Sequence, residues 1–509
     1  MSILLSSEFT FRILVFFYIF DIRILSMETN NKYEAVIGLE VHAQLLTRSK
    51  VFCGCSTEFG NPPNTNVCPI CLGHPGVLPV LNKKAVEFTV LMGLAVNCRI
   101  NEKSVLARKN YFYPDLPKGY QISQYELPIC EDGLINVDSD DSLKKIRIKR
   151  IHLEEDAGKS IHDQGYETLV DLNRCGTPLM EIVSEPDLRT AKEAYSYLYK
   201  MRQIVQYLGI CDGNMEEGSL RCDANISVRL KGTDKLGTKT EVKNMNSFKS
   251  VERAINHEIE RQIEILEDGG EIVQETLLWN ADLNEAFSMR SKEEAHDYRY
   301  FPEPDLLPVV ISEEWKNEIA EQLPELPDER REKFISKYKL PEYDAEILTQ
   351  TKSIADYFEN VTSFTDDNKS ASNWIMGDVL KVINEQKLDI RNFPVSPDKL
   401  AKLINLINKG TISGKIAKDI FPEMISEGKD AESIIKEKDL VQITDVSSIE
   451  NIVEKIIESH QDEVKQFLDG KEKVLGFFVG QIMKETKGKA NPKLVNELLN
   501  KKFNELKTV

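Results

Sequence analysis

From Ser219 to Leu230 the chain alternates without a break. Ser219, Arg221, Asp223, Asn225, Ser227 and Arg229 fall on one side, Leu220, Cys222, Ala224, Ile226, Val228 and Leu230 on the other. That is the period of a strand with one face buried. The polar face holds a carboxylate between two arginines, with amide and hydroxyl groups interleaved. A solvated surface strand carries Lys, Glu and Thr in looser order. Acid, base and amide at fixed spacing suit a site for metal ions and phosphate.

Other segments repeat the pattern. Glu40, His42 and Gln44 share the polar side of Ile37–Leu45, and Lys239, Glu241 and Lys243 share one side of Gly237–Lys243. Ile146 and Ile148 alternate with Arg147 and Lys149. The phase then slips at Arg150–Ile151, as at a β-bulge, and His152, Glu154 and Glu155 follow. Met180–Glu185 brings Glu181 and Glu185. Each segment alone reads as an ordinary strand. Together they matter, because oxygen ligands for Mg²⁺ must converge from separate strands.

Helices take over after this strand-rich region. A helix begins at Ser247, repeats Val251, Ala254, Ile255, Ile259, Ile263 and Leu266 at helical spacing, and stops at Gly269–Gly270. It follows the strand of Glu241 and Lys243, so its first amides can point towards a phosphate. The prolines of Tyr298–Pro304 impose an extended segment, from which Arg299 can face a phosphate or stack on aromatics. Lys109–Tyr125, with Tyr111, Phe112, Tyr113, Tyr120 and Tyr125, can line a pocket or simply pack. From about Glu314 onward the pattern is helical, punctuated by Pro324, Pro327 and Pro341. No internal repeat or low-complexity stretch is evident.

Cys53, Cys55, Cys68 and Cys71 form C-x-C-x12-C-x2-C in Gly- and Pro-rich sequence. Two cysteine pairs closing a loop are typical of structural Zn²⁺ held by four thiolates, which leave no open position for catalysis. The other five cysteines are scattered and read as small core residues. Gly158-Lys159-Ser160 is only the end of a phosphate loop, since position 153 is Leu where Gly is required. There is no nucleophile elbow and no Gly/Ser-rich amidase segment, so ammonia for any amide formed here must come from a partner.

The motifs IGLEVH, RKNYFYPDLPKGYQISQ, HLEEDAGKS, DLNRCGTPLMEIVSEPD, MEEGSLRCDANISVR, EVKNMNSF, DYRYFPEPDLLPV and GQIMKETKGKANP closely resemble the B subunit of the tRNA-dependent glutamyl/aspartyl amidotransferase. The resemblance runs from about Tyr33 nearly to the C-terminus. It implies an α+β fold: an antiparallel-sheet cradle of glutamine-synthetase-like type, then a helical domain and a small helical tail, with boundaries near residues 322 and 437. It implies ATP-dependent phosphorylation and amidation of Glu on tRNA(Gln), or Asp on tRNA(Asn). The expected partners are an amidase A subunit that supplies ammonia and a small C subunit, in a heterotrimer. Glu40, His42, Glu155, Glu181, Asp223 and Glu241 are the candidate Mg²⁺ ligands, and Glu155, Asp223 and Arg221 the candidate catalytic groups. Lys239, Lys243 and Arg299 are candidates for the ATP phosphates. The resemblance allows the zinc site without demanding it.

Composition is that of an ordinary globular protein: 509 residues, 41% hydrophobic and 8% aromatic, enough for two or three domains. A net charge of −18 excludes a wholly basic nucleic-acid binder, so tRNA contacts must use local patches. The tail supplies one. From Lys471 onward nine lysines face four glutamates, and Gly488 and Pro492 interrupt the helical pattern around Lys487 and Lys489. Residues 1–26 do not fit the fold. The apolar run Leu14–Phe20 is too short to span a bilayer and is closed by Asp21 and Arg23. A start assigned upstream of Met27 is the favoured explanation, with a transit peptide as the other. The expected location is the cytoplasm, with an organelle as the minor alternative. Two rival functions remain: a non-catalytic, zinc-containing tRNA-binding scaffold, opposed by the convergent acids, and a stand-alone ligase for free glutamate, opposed by the basic tail.

Overall fold

The computed structural model describes residues 32–139, 142–161, 167–289, 298–440, 446–468, 471–486 and 490–507. The N-terminal extension lies outside them, as do Lys487 and Lys489. The chain divides into two compact units, with the boundary between Leu326 and Pro327.

The first unit is built on nine strands: β1 (Tyr33–Gln44), β2 (Arg99–Ile100), β3 (Cys130–Ser139), β4 (Ser142–Glu155), β5 (Pro178–Ser184), β6 (Leu220–Leu230), β7 (Thr240–Met245), β8 (Thr276–Asn280) and β9 (Glu285–Ser288). They lie in the order β9-β8-β7-β6-β1-β5-β4-β3-β2. Only β7 and β8 run parallel. A parallel pair needs a crossover, and the helix Phe248–Glu267 provides it.

Three helices supply the apolar layer: α1 (Lys83–Ala95), α2 (Ala191–Leu208) and α3 (Phe248–Glu267). Their starts are capped by the side chains of Asn82, Thr190 and Ser247, which accept from Lys84, Glu193 and Ser250 backbone N–H groups. Val90 and Met92 of α1, Leu198 and Met201 of α2, and Val251 and Ile255 of α3 join one core with Leu39 and Val41 of β1, Ile182 of β5, and Ala224 and Ile226 of β6. One face of the sheet therefore meets the helices. The alternate residues of the same strands, the polar ones, project from the other.

The second unit is helical, from Pro327–Ser336 to Pro492–Lys507, and contains no strand among its described residues. It holds two separate cores. Phe334, Phe358, Ile375, Ile404 and Ile434 belong to the first, Ile449, Val453, Phe478, Val495 and Phe503 to the second. The observed class is thus α+β, a sheet dominated by antiparallel pairing followed by a helical region. No helix among the described residues is long and apolar enough to cross a membrane.

Candidate metal and nucleotide site

The polar face of the sheet is organised about β1. Glu40 lies opposite Asp223 and His42 opposite Arg221 on β6, while on the other side His42 lies opposite Glu181 of β5. Glu181 in turn faces His152 of β4, and Asn225 faces Glu241 of β7. Directly opposed residues share a face, so the strand order gathers acids from five adjacent strands. Two groups result, one on each side of β1. Glu40, Asp223 and Glu241 offer ligand atoms within 4.8 Å of one another, and so do His42, Glu154 and Glu181. Carboxylate-rich sets of this kind suit hard divalent cations.

Charge in these groups is finely balanced. Burial, with Glu181, Glu241 and Asp223 nearby, pushes Glu40 above the ordinary carboxylate range. Lys243 Nζ sits 2.8 Å from Asp223 Oδ2 and 2.9 Å from Glu241 Oε1. Burial disfavours its ammonium, but the two carboxylates outweigh that and raise its pKa. In the second group His152 Nε2 lies 3.2 Å from Glu181 Oε2 and 3.7 Å from Glu154 Oε2. Burial opposes its charged form, yet Glu181 and Glu154 prevail and lift it to about 9. Burial likewise works against ionised Glu181 and Glu154, and His152 overrides it to hold both low. Each acid group thus has a cation within reach, which is what buried carboxylates require.

Several expected residues stand elsewhere. Glu155 does not join Glu181 and His42; Glu154 takes that place. The reason is parity. A register shift opposite Val183–Ser184 leaves Lys149 unpaired, and beyond it Ile151 and Leu153 point to the core. His152 and Glu154 therefore share the polar face and Glu155 does not. Glu155 instead pairs with Lys118 and accepts from Ile122 N at 2.8 Å. The pair borders a cavity of about 210 Å³ that Lys50, Phe52, Cys71 and Arg108 also line. With Lys118 and Glu155 side chains only 8% and 2% exposed, removing one charge strands the other. Lys118→Met should cost about 3–5 kcal/mol, read from urea denaturation; a change below about 1 kcal/mol would mean the pair is effectively solvated.

Arg221 is likewise taken up within the protein. Its Nη2 and Nη1 donate to Asp156 Oδ1 and Oδ2 at 3.0 and 3.1 Å, and Gln44 donates to the same carboxylate at 2.7 Å. Asp156, 4% exposed, is a partner that the sequence pattern did not single out. Lys239 is exposed and donates to Asn225 Oδ1 at 2.9 Å; Asn225 in turn donates to Glu40 at 3.0 Å. Arg299 is exposed, with a left-handed φ of 43°, and its carbonyl accepts from Asn110.

Cys53, Cys55, Cys68 and Cys71 offer sulfur atoms within 4.8 Å of one another, and none is disulfide-bonded. A hairpin carries the first pair, with Lys50 N donating to Cys55 O, and a tight turn carries the second, with Leu72 N donating to Cys68 O. A hydrogen bond from Cys53, aided by Cys68 N–H and Lys50, lowers Cys71 to about 4. The same bond and burial raise Cys53, and burial raises Cys55 to about 11. Four clustered thiols with one already favouring its anion are a donor set for a tetrahedral thiophilic cation.

A sheet with paired acid groups on its open face, followed in the chain by a helical region, is the frame in which the comparisons with known proteins fall. The family model described as the GatB/GatE catalytic domain matches residues 35–317, and that described as the GatB domain matches residues 356–503. Relatives named as the B subunit of aspartyl/glutamyl-tRNA(Asn/Gln) amidotransferase agree along nearly the whole length. That of Thermodesulfovibrio yellowstonii is 60% identical over 474 residues, 93% of this chain and 100% of the relative. Those of Chlorobium phaeobacteroides and Geobacter sulfurreducens are 58% and 59% identical, each across 92% of this chain and 99% of theirs. The chain belongs to this family of amidotransferase B subunits.

Proposed function

We propose that this chain is the ATP-using ligase subunit of an aminoacyl-tRNA amidotransferase in protein biosynthesis. The side-chain carboxylate of Glu on tRNA(Gln), or Asp on tRNA(Asn), takes the γ-phosphoryl of ATP and ADP leaves. Ammonia then adds at the acyl carbon, the carbon–oxygen bond to phosphate breaks, and a nitrogen-bound proton is lost as the amide forms. Activation is needed because a carboxylate is a poor acyl donor to ammonia, whereas phosphate leaves readily.

The observation that carries this reading is the pair of acid groups astride β1 with Lys243 between Asp223 and Glu241. Glu40, Asp223 and Glu241 would hold one Mg²⁺; His42, Glu181 and Glu154 would hold another. Bound there, Mg²⁺ would offset charge on the transferred phosphoryl. Lys243 supplies a cation for the phosphates, with Lys239 at the margin. Arg221 acts at one remove, through Asp156 and Gln44. In this reading the sheet is a cradle of the glutamine-synthetase type, the four cysteines hold structural Zn²⁺, and an amidase A subunit and a small C subunit complete a cytoplasmic heterotrimer. The test is ATP turnover by that complex. Glu-tRNA should stimulate it and yield Gln-tRNA; turnover indifferent to aminoacyl-tRNA would overturn the proposal.

The tail, from residue 438 onward, is assigned to tRNA backbone binding on its last stretch, where from Lys471 to the end nine lysines face four glutamates. Truncation after Asp469 should weaken tRNA binding and flatten its salt dependence, by a slope of about 0.9 or less for each phosphate no longer neutralised. Glutaminase activity of the complex should persist. An unchanged affinity with an unchanged slope defeats the assignment.

A further inference from the structure

A run of tyrosines extends from the strand Ala107–Asn110 and its neighbours. Tyr111 and Tyr113 stack with centroids 5.1 Å apart and planes at 13°. Tyr111 meets Tyr298 at 6.4 Å, Tyr298 meets Tyr300 at 6.1 Å, and Tyr300 stacks on Tyr125 at 4.4 Å. Backbone pairing fixes the run. Asn110 N donates to Tyr298 O at 2.9 Å, and Phe301 pairs with Arg108 across neighbouring strands.

These rings do not form a core. Tyr111, Tyr113 and Tyr125 remain 36%, 39% and 52% exposed despite their stacking. The Lys109 ammonium lies 4.8 Å from the Tyr298 ring centroid. Ser123, on the strand that pairs with Ala107–Asn110, donates to Glu154 Oε2 at 3.0 Å, and Lys109 lies opposite Gln121 of that strand, so the strand carrying Lys109 lies beside the acid group. A partly exposed aromatic surface with a cation at its base is suited to stack a nucleobase and draw its phosphate.

We propose that the tyrosine run, with Tyr111 and Tyr113 as its stacking surface, seats the terminal nucleoside of the aminoacyl-tRNA so that the attached side-chain carboxylate reaches Glu154 and Glu181. The proposal rests on the ligase reading above and adds the place where its acceptor substrate docks. The side is set by charge. Lys243 and Lys239 lie on β7 and its approach, on the far side of β1, where they suit the ATP phosphates. Donor and acceptor must meet from opposite sides, so the tyrosine flank falls to the acceptor.

The assembled heterotrimer carrying Tyr113→Leu or Tyr111→Leu should show a KM for Glu-tRNA raised roughly ten-fold or more, the usual cost of losing one base stack. KM for ATP and the glutaminase rate should not move, and Tyr113→Phe should restore tRNA binding. Wild-type enzyme given a Glu-tRNA whose last nucleotide lacks its base should show the same loss, with no further loss in Tyr113→Leu. This second arm decides the matter even if the Leu variants fold poorly. An unaffected abasic substrate overturns the proposal. A rise in KM for ATP alone overturns it too, by giving the surface to the adenine of ATP. If wild-type enzyme forms no Gln-tRNA at all, the ligase reading has failed; if it does and these variants behave as wild type, only the stacking site has.

Discussion

Heterotrimers carrying Asp223→Asn or Glu181→Gln should form Gln-tRNA at least about a thousand-fold more slowly than wild type, because in the proposed site each change removes a hard-cation ligand worth several kcal/mol in the transition state. The two residues lie in different acid groups, on β6 and β5, yet both groups flank the same strand. Loss on both sides would show that the groups act on one reaction. The amides keep the shape of the acids, and neither cation is stranded: Lys243 keeps Glu241 at 2.9 Å and His152 keeps Glu154 at 3.7 Å. The fold should therefore survive, with circular dichroism unchanged and glutamine hydrolysis by the complex retained at least in part. Raising Mg²⁺ should recover some activity in either variant if affinity is what was lost. Near-normal Gln-tRNA formation by either one would remove that residue from the site.

Zinc analysis of wild-type protein purified without chelators or oxidants should find about one ion per chain, as one four-thiolate set holds one tetrahedral ion, and Cys53→Ser or Cys71→Ser should abolish it. The consequence for stability should be large locally. Structural zinc in finger peptides contributes about 10–16 kcal/mol of apparent binding energy, and here the four cysteines close the segment Cys53–Cys71 on itself, beside Cys175, whose Sγ donates to Cys71 O at 3.6 Å. Val51 N donates to Gly176 O, and Cys175 is buried close by. Removing the ion leaves four thiols crowded within 4.8 Å, with Lys50 as the nearest cation, 3.8 Å from Cys71 Sγ. Limited proteolysis should then cut within this loop while the helical unit stays resistant. Absence of zinc from carefully prepared wild-type protein would reject the assignment, as would a Cys71→Ser variant with full zinc content.

Much of this was legible in residue order, because side-chain parity along a strand is local. Alternation alone placed Arg221, Asp223 and Asn225 together, and Glu40 with His42 and Gln44, and the structure keeps those faces. The helix expected from Ser247 is present as Phe248–Glu267 with Ser247 as its cap, for cap chemistry and 3.6-residue spacing are local as well. The spacing of the four cysteines also anticipated their clustering. Tertiary structure decided what depends on neighbours distant in sequence. Only the strand order β7-β6-β1-β5-β4 puts Glu40 beside Asp223 and His42 beside Glu181, since alternation says nothing about which strand lies next to which. The same holds for Arg221: its face was evident, but Asp156, sixty-five residues away along the chain, claims its guanidinium. Glu154 and Glu155 show the limit most sharply. They are adjacent in sequence and identical in chemistry, and one unpaired residue at Lys149 sends Glu154 to the open face and Glu155 to a buried ion pair with Lys118. A shift of one residue inverts every side chain beyond it; the alternation showed a slip at Arg150–Ile151, and the pairing of β4 with β5 puts it at Lys149.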